Sequence, residues 1–174
     1  GAAGYYAVAF DARGHGDSDW APDGVYGMDI MVEDLKCVIA ALGGSRPVLV
    51  GASMGGGTSL VATGEDHIDA TALVMVDIAP QIEPAGVDKI MAFMSQKPEG
   101  FSSLQEVADA IGSYQPHRKA PKNLDGLAKN VREGEDGKYR WHWDPKFRSI
   151  RRDMNKRKER LEACTSNLSL PTLL

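Results

Sequence analysis

Short apolar runs alternate along the chain with longer segments of helical periodicity, and this alternation predicts the order of elements. Tyr5 to Phe10 (YYAVAF) is aromatic, β-branched or small throughout, which predicts a strand, and it stops at the polar, glycine-rich loop DARGHGDSD. From about Met28 to Leu42, apolar residues recur at helical spacing (Ile30, Met31, Leu35, Val38, Ile39, Leu42), and Gly43 and Gly44 supply the stop. PVLVGA, residues 47 to 52, is apolar but too short for a helix, as expected of a strand covered on both faces of a parallel sheet. After MGGG, a helix of small and apolar residues is expected over Thr58 to Thr63. GEDHIDA then leads into a second fully apolar strand, ALVMV, which ends at Asp77. Strand, helix, strand, helix, strand is the pattern of a parallel α/β sheet.

Past Pro80 the pattern changes. Helices are expected near Val87 to Ser95, Ser103 to Tyr114 and Leu124 to Val131, followed by a polar turn, EDGK, and by YRWHWDP, where no further sheet strand is evident. A basic helix is expected from about Phe147 to Ala163, and the closing LPTLL reads as the first half of another buried strand. A mostly helical block between two strands of a parallel sheet reads as a lid able to close over the strand ends where ligands bind. Three regions follow: a core over residues 1–80, a helical lid over 81–165, and the start of the next core strand over 166–174.

Composition narrows the function classes. The 174 residues, 43% of them hydrophobic, suit one globular domain rather than a repeat array or a disordered tail. A formal net charge of -4 argues against a nucleic-acid binder, which needs a basic surface to displace counterions, and points to a small-molecule substrate. Cys37 and Cys164 each fall in a predicted helix without a His or Cys at metal-ligand spacing, so reduced thiols, no metal and no cofactor are expected. No apolar run approaches the roughly 20 residues of a membrane span, no basic-then-apolar leader precedes the first strand, and a cytoplasmic location is expected. KFRSIRRDMNKRKER reads as a solvated lid helix, with attraction of an anionic substrate or surface as the sharper alternative.

GASMG, Gly51 to Gly55, matches G-x-S-x-G, with an apolar strand before it and a small-residue helix after it. Glycines on both sides permit the sharp turn that holds Ser53 Oγ above a sheet, and the helix N-terminus presents N–H groups to developing negative charge. The Met54 N–H is then one oxyanion donor, with Gly51 and Gly55 as the elbow glycines. The plainer alternatives are an ordinary strand-to-helix turn or a phosphate loop, although a Walker loop needs a lysine that is absent here.

Strand-DARGHGDSD, strand-GASMGG and strand-DIAP together resemble the α/β-hydrolase superfamily, in particular its lidded esterase, perhydrolase and C–C-hydrolase branch, over nearly the whole chain. The resemblance implies a partial α/β-hydrolase fold: parallel sheet strands, flanking helices and a helical lid insertion. Tyr5 to Phe10 would be strand four, Pro47 to Ala52 strand five, Ala72 to Val76 strand six, and Leu170 to Leu174 the start of strand seven. It also implies that strands one to three, with the His-Gly loop that supplies a second oxyanion N–H, lie before Gly1, and that the catalytic acid and His lie beyond Leu174. Strand three would separate strands four and five, so the isolated chain is expected to be poorly stable, and without a positioned base it is expected to be nearly inactive.

Within the chain, Asp77 is a weaker candidate for the acid, against a structural role in ending its strand. His15 reads as a loop-packing residue, His67 as a surface residue opposite the site, and His117 and His142 as lid residues. Tyr139, Trp141 and Trp143 surround His142 in sequence, a cluster that either packs the lid or binds a ligand. Met91, Phe93, Met94, Leu104, Val107 and Ile111 give the lid an apolar inner face; if part of it lines a pocket, the substrate carries a hydrophobic acyl or ring portion. Serine at the elbow disfavours the dehalogenase and epoxide-hydrolase branches, which use aspartate there. Ester hydrolysis is the expected activity of the parent protein, with perhydrolysis, C–C hydrolysis and a non-catalytic ligand-binding role left open.

Overall fold

Valine- and leucine-rich strands too short to bend into helices pair in the order the alternation predicts. The computed structural model describes residues 2–78, 83–114, 124–149 and 153–174. Strand β1 (Val48–Ala52) pairs in parallel with β2 (Ala72–Val76), in register from Val48 opposite Ala72 to Ala52 opposite Val76. The other edge of β2 takes β5 (Thr172–Leu173), so the sheet order is β1-β2-β5. Helices α1 (Met28–Ala41), α2 (Met54–Gly64) and α5 (Met154–Asn167) accompany this sheet. The chain divides into two compact units, one of Val25–Met91 with Ser149–Leu174, the other of residues up to Gly24 with Ala92–Arg148.

In the sheet unit, Leu49, Leu73 and Met75 meet Leu60, Val61 and Ala62 of α2, Val32 and Leu35 of α1, and Leu161 and Cys164 of α5 in one apolar core. Burial of β1 alternates, however, and Val50 is 69% exposed. The expectation that β1 is covered on both faces is therefore corrected: all three helices join the one cluster built on the Leu49 side, leaving the other face open among the described residues. Helix α2 is buried from Gly56 to Gly64. Its last residue, Gly64, lies so close to α5 that an added Cβ would come 2.6 Å from the Cys164 carbonyl oxygen, so the two helices meet almost backbone to backbone.

This contact also corrects the reading of the basic stretch as a solvated lid helix. Helix α5 packs on the core unit through Leu161 and Cys164, while Lys156 and Lys158 stay exposed. Asp153 caps it, accepting from the N–H groups of Asn155 and Lys156. Arg160 then clamps three helices together, donating to Glu65 from Nε at 2.6 Å and from Nη2 at 2.8 Å, and to Asp29 at 2.6 Å. The Arg160 hydrogen bonds hold the Glu65 carboxyl well below its ordinary range, at about 2. A depressed carboxyl pKa contributes stability above the unfolded value that is lost as pH falls toward the folded one. Arg160→Met is therefore expected to lower unfolding free energy at pH 7 by about 1–2 kcal/mol, discounted because both side chains keep about a third of their surface in water. Chemical melts should show this deficit shrinking between about pH 4.5 and pH 2; a deficit constant across that window would refute the assignment to Glu65.

The other unit departs further from expectation. Tyr5 to Phe10 pairs with no strand among the described residues, and Tyr5 and Tyr6 are 75% and 86% exposed. An extended apolar run becomes a sheet strand only where a neighbouring edge accepts its N–H and C=O groups, and among the described residues of its own unit no strand ladder includes it. Where no strand was expected, β3 (Val131–Glu133) and β4 (Tyr139–Trp141) form an antiparallel hairpin. Its turn is set by Gly137 at φ 71° and by Asp136, which accepts from the Lys138 N–H. The helix expected over Leu124 to Val131 is only a 3-10 turn, Asp125–Lys129, before this hairpin begins. Helix α4 (Leu104–Tyr114) packs Val107 against Phe101 and Val131 to form a second small core. The DARGHGDSD loop is sewn to the segment after β4: Gly16 N–H donates to the His142 carbonyl at 2.9 Å, and Asp144 N–H to that of Gly14 at 2.7 Å. Helix α3 (Pro84–Met94) is divided between the two units.

Candidate functional site

A single residue makes the turn from β1 to α2. Ser53 has φ 46° and ψ -110°, with β1 ending at Ala52 and α2 beginning at Met54. That ψ lies far from the left-handed well, near +30 to +60°, so the residue stores strain of about 1–3 kcal/mol. Hydrogen bonds on both sides fix it: Ser53 N–H donates to the Val76 carbonyl on β2, and Gly57 N–H donates to the Ser53 carbonyl, each at 3.0 Å.

Glycine makes the close crossing possible. A Cβ on Gly51 would overlap the backbone of Gly55 and Gly56, and one on Gly56 would lie 2.9 Å from the Gly51 oxygen and 2.7 Å from Ile78 Cγ2. A Cβ on Gly55 would meet nothing within 4 Å. Of the two elbow glycines expected, Gly51 is sterically required and Gly55 is not. The second required glycine is Gly56, whose only trace in the sequence is the run of three glycines after Met54.

The chemistry at this turn depends on what Ser53 leaves unused. Serine at a helix N-cap ordinarily accepts from an N–H of the first turn, yet Ser53 makes no such side-chain bond, and the residue is exposed. Met54 opens α2, ahead of the first intrahelical bond made by Gly57, so its N–H belongs to the positive end of the helix. Thr58 holds that turn by donating to the Met54 carbonyl at 3.0 Å and to Met28 Sδ at 3.7 Å.

Asp77 leaves β2 at the level where Ser53 leaves β1, because Ala52 and Val76 are register partners. It too has a positive φ, 53°, and it is exposed. His67 sits between α2 and β2, at the end of β2 away from Asp77, 3.2 Å from Glu65. It is the one histidine of this unit among the described residues, so no imidazole joins Ser53 there. His117 lies outside the described residues. No group of three or more His, Cys, Asp or Glu suited to a metal ion occurs among the described residues. No helix among them is long and apolar enough to cross a membrane.

His15 and His142 both belong to the other unit and line a cleft of about 410 Å³ there. His15 bonds through Nδ1 to the Arg13 carbonyl at 3.1 Å and meets Phe147 edge to face. His142 Nε2 lies 3.7 Å from Asp17, whose carboxylate also takes Arg132 at 2.9 Å. Phe93, Ile111, Tyr114, Trp141 and Trp143 give the cleft apolar walls, and Lys129, Asn130 and Asp11 polar ones. Tyr114, Lys129 and Asn130 carry no pattern in the sequence that marks them for such a place.

Residues 2–157 match the model of a family described as having the alpha/beta hydrolase fold. The chain is similar to an esterase of Mycobacterium tuberculosis, 30% identical over 145 residues that cover 79% of this chain and 48% of that protein. It is also similar to the 3-hydroxybutyrate-oligomer hydrolase of Cupriavidus necator, 28% identical over 151 residues, covering 82% and 51% respectively. A solved alpha/beta hydrolase from Novosphingobium aromaticivorans shares the fold with a TM-score of 0.71 at 20% identity, over 94% of this chain and 69% of that one. The chain spans about half the length of the curated relatives it matches.

Proposed function

The chain belongs to the alpha/beta hydrolase family, and on that premise we propose that the parent protein hydrolyses an ester or related acyl bond with Ser53 as nucleophile. The observation that carries this reading is the strained Ser53 turn, whose hydroxyl stands at a helix N-cap without capping it. A structural turn has no need of such strain, whereas an attacking hydroxyl gains by being held clear of its own backbone. In the proposed reaction Ser53 Oγ bonds to the acyl carbon and gives its proton to a base, and the carbonyl oxygen becomes an oxyanion facing the Met54 N–H. The leaving group departs with a proton, and water then cleaves the acyl-enzyme to free acid and regenerated Ser53.

The base and its acid partner are proposed to follow Leu174, as in the family pattern. Asp77 is the alternative acid, since it leaves the sheet beside Ser53. Both curated relatives described above are named as an esterase or an oligomer hydrolase, which supports an ester substrate over perhydrolysis or C–C cleavage at the same serine. Treating the parent protein with a fluorophosphonate and mapping the adduct by mass spectrometry tests the assignment. The expected result is one phosphonylated site, Ser53, with parallel loss of p-nitrophenyl ester turnover. Complete inhibition with the label on any other residue would sink it.

A further inference from the structure

Helices α2 and α5 run parallel and start level, since Gly57 lies against Arg157 near their beginnings and Gly64 against Cys164 near their ends. A Cβ on Gly57 would lie 3.6 Å from Arg157 Nη2 and 3.4 Å from Ile78 Cδ1, so the guanidinium rests beside apolar groups on the first turn of α2. We propose that Arg157 is an electrostatic residue of the Ser53 site, its charge lowering the energy of the oxyanion that forms at the Met54 N–H. The inference rests on the hydrolase reading above.

Position supports it first. A helical Cβ tilts toward the helix N-terminus, and residues three apart lie on one face. Their Cβ atoms are about 5–6 Å apart, which puts Arg157 Nη2 within about 12 Å of the Met54 N–H. Charge supports it next. Arginine stays protonated in proteins, and this one stands where its charge does not help folding. Arg157 is in the first turn of α5, which begins at Met154, and it touches the first turn of α2, which begins at Met54. A cation at a helix N-terminus opposes the macrodipole, whereas an anion there is favoured. Arg160, one turn further along α5, is of the other kind: Glu65 and Asp29 match it, and it locks three helices together. Asp153, at the start of α5, accepts from the Asn155 and Lys156 N–H groups of its own helix. A cation set against two positive helix ends adds to the potential that meets a developing anion. Arg157 is half-buried, with Nε sealed from water, so solvent screens its charge incompletely. A unit charge about 12 Å away, at an effective dielectric constant of about 20–40, changes a rate about three- to tenfold.

Turnover of a neutral p-nitrophenyl ester by the parent protein, measured across a charge series at position 157, tests this. Arg157→Lys keeps the charge and should stay within about twofold of wild type in kcat. Arg157→Met should lower kcat about fivefold, and Arg157→Glu, which changes the charge by two, about 25-fold, each with KM within about twofold. Arg157→Met should melt no lower than wild type, because the charge it removes opposes both helix ends. Ser53→Ala, run beside the series, keeps the two readings apart. Turnover that survives Ser53→Ala removes the hydrolase reading and this inference with it. Serine-dependent turnover that is equal in Arg157→Met and wild type overturns this inference alone. A lysine variant as slow as the methionine one, or a rate loss accompanied by a lower melting temperature, would show a packing role and overturn it as well.

Discussion

Ser53→Ala is expected to lower kcat/KM of the parent protein for acyl esters by about 10⁴-fold or more while leaving thermal stability almost unchanged. The activity loss follows from removing the atom proposed to form the acyl-enzyme. The stability result follows from geometry. Alanine keeps the Cβ that is strained at φ 46°, and the lost hydroxyl made no cap bond, so unfolding free energy should move by less than about 0.5 kcal/mol. Ser53→Gly separates the two roles further. It abolishes the chemistry equally but relieves the backbone, and should raise stability by about 1 kcal/mol. Ester turnover measured beside thermal melts of both variants tests the pair. If Ser53→Ala kept wild-type turnover, the nucleophile would have to be sought elsewhere; if it melted far lower, the hydroxyl would be a structural group.

The largest expected effect on folding comes from Gly51→Ala, which should cost more than about 4 kcal/mol and leave little folded protein. The new methyl would occupy the space of the Gly55 carbonyl carbon and the Gly56 nitrogen, both backbone atoms of the first turn of α2. Neither can rotate aside, so β1 and α2 must separate, and the core that Leu49 shares with Leu60 and Val61 opens with them. Gly56→Ala should be severe for the same reason, since Ile78 can shift but the Gly51 carbonyl cannot. Gly55→Ala points into open space on a helix and should be neutral or stabilising by up to about 1 kcal/mol. Urea melts of the three variants decide the matter. Comparable losses at Gly51 and Gly55 would show that the motif glycines act through something other than this crossing.

The contrast between Gly55 and Gly56 marks where sequence pattern stops being enough. G-x-S-x-G locates the sharp turn at Ser53, and the apolar runs locate β1, β2 and β5, because a strand-to-helix turn and a short apolar strand are both properties of neighbouring residues. Which glycine is crowded depends on how the turn folds Gly56 back onto the Gly51 carbonyl and on Ile78, twenty-two positions further on, and the letters of the motif encode neither approach. Tyr5 to Phe10 misled for a similar reason: its residues favour an extended chain, but pairing requires a partner edge. The hairpin of β3 and β4 was missed because three residues per strand give alternation too few positions to register. Helix α5 hid its core role, since Leu161 and Cys164 form a narrow apolar stripe among charged neighbours. The polar residues of the aromatic cleft are scattered along the chain, and only folding collects them.

The pairing of β2 with β5 joins Leu73 to Thr172 across about a hundred residues of chain. Closing a loop costs entropy that grows only with the logarithm of its length, so doubling or halving the intervening segment would change that cost by about 0.6 kcal/mol. The ladder is thus nearly indifferent to how much polypeptide is spliced between its strands. The part of that excursion ahead of α5, which itself packs on the core through Leu161 and Cys164, can therefore lengthen, shorten or be replaced with little thermodynamic consequence for the turn at Ser53.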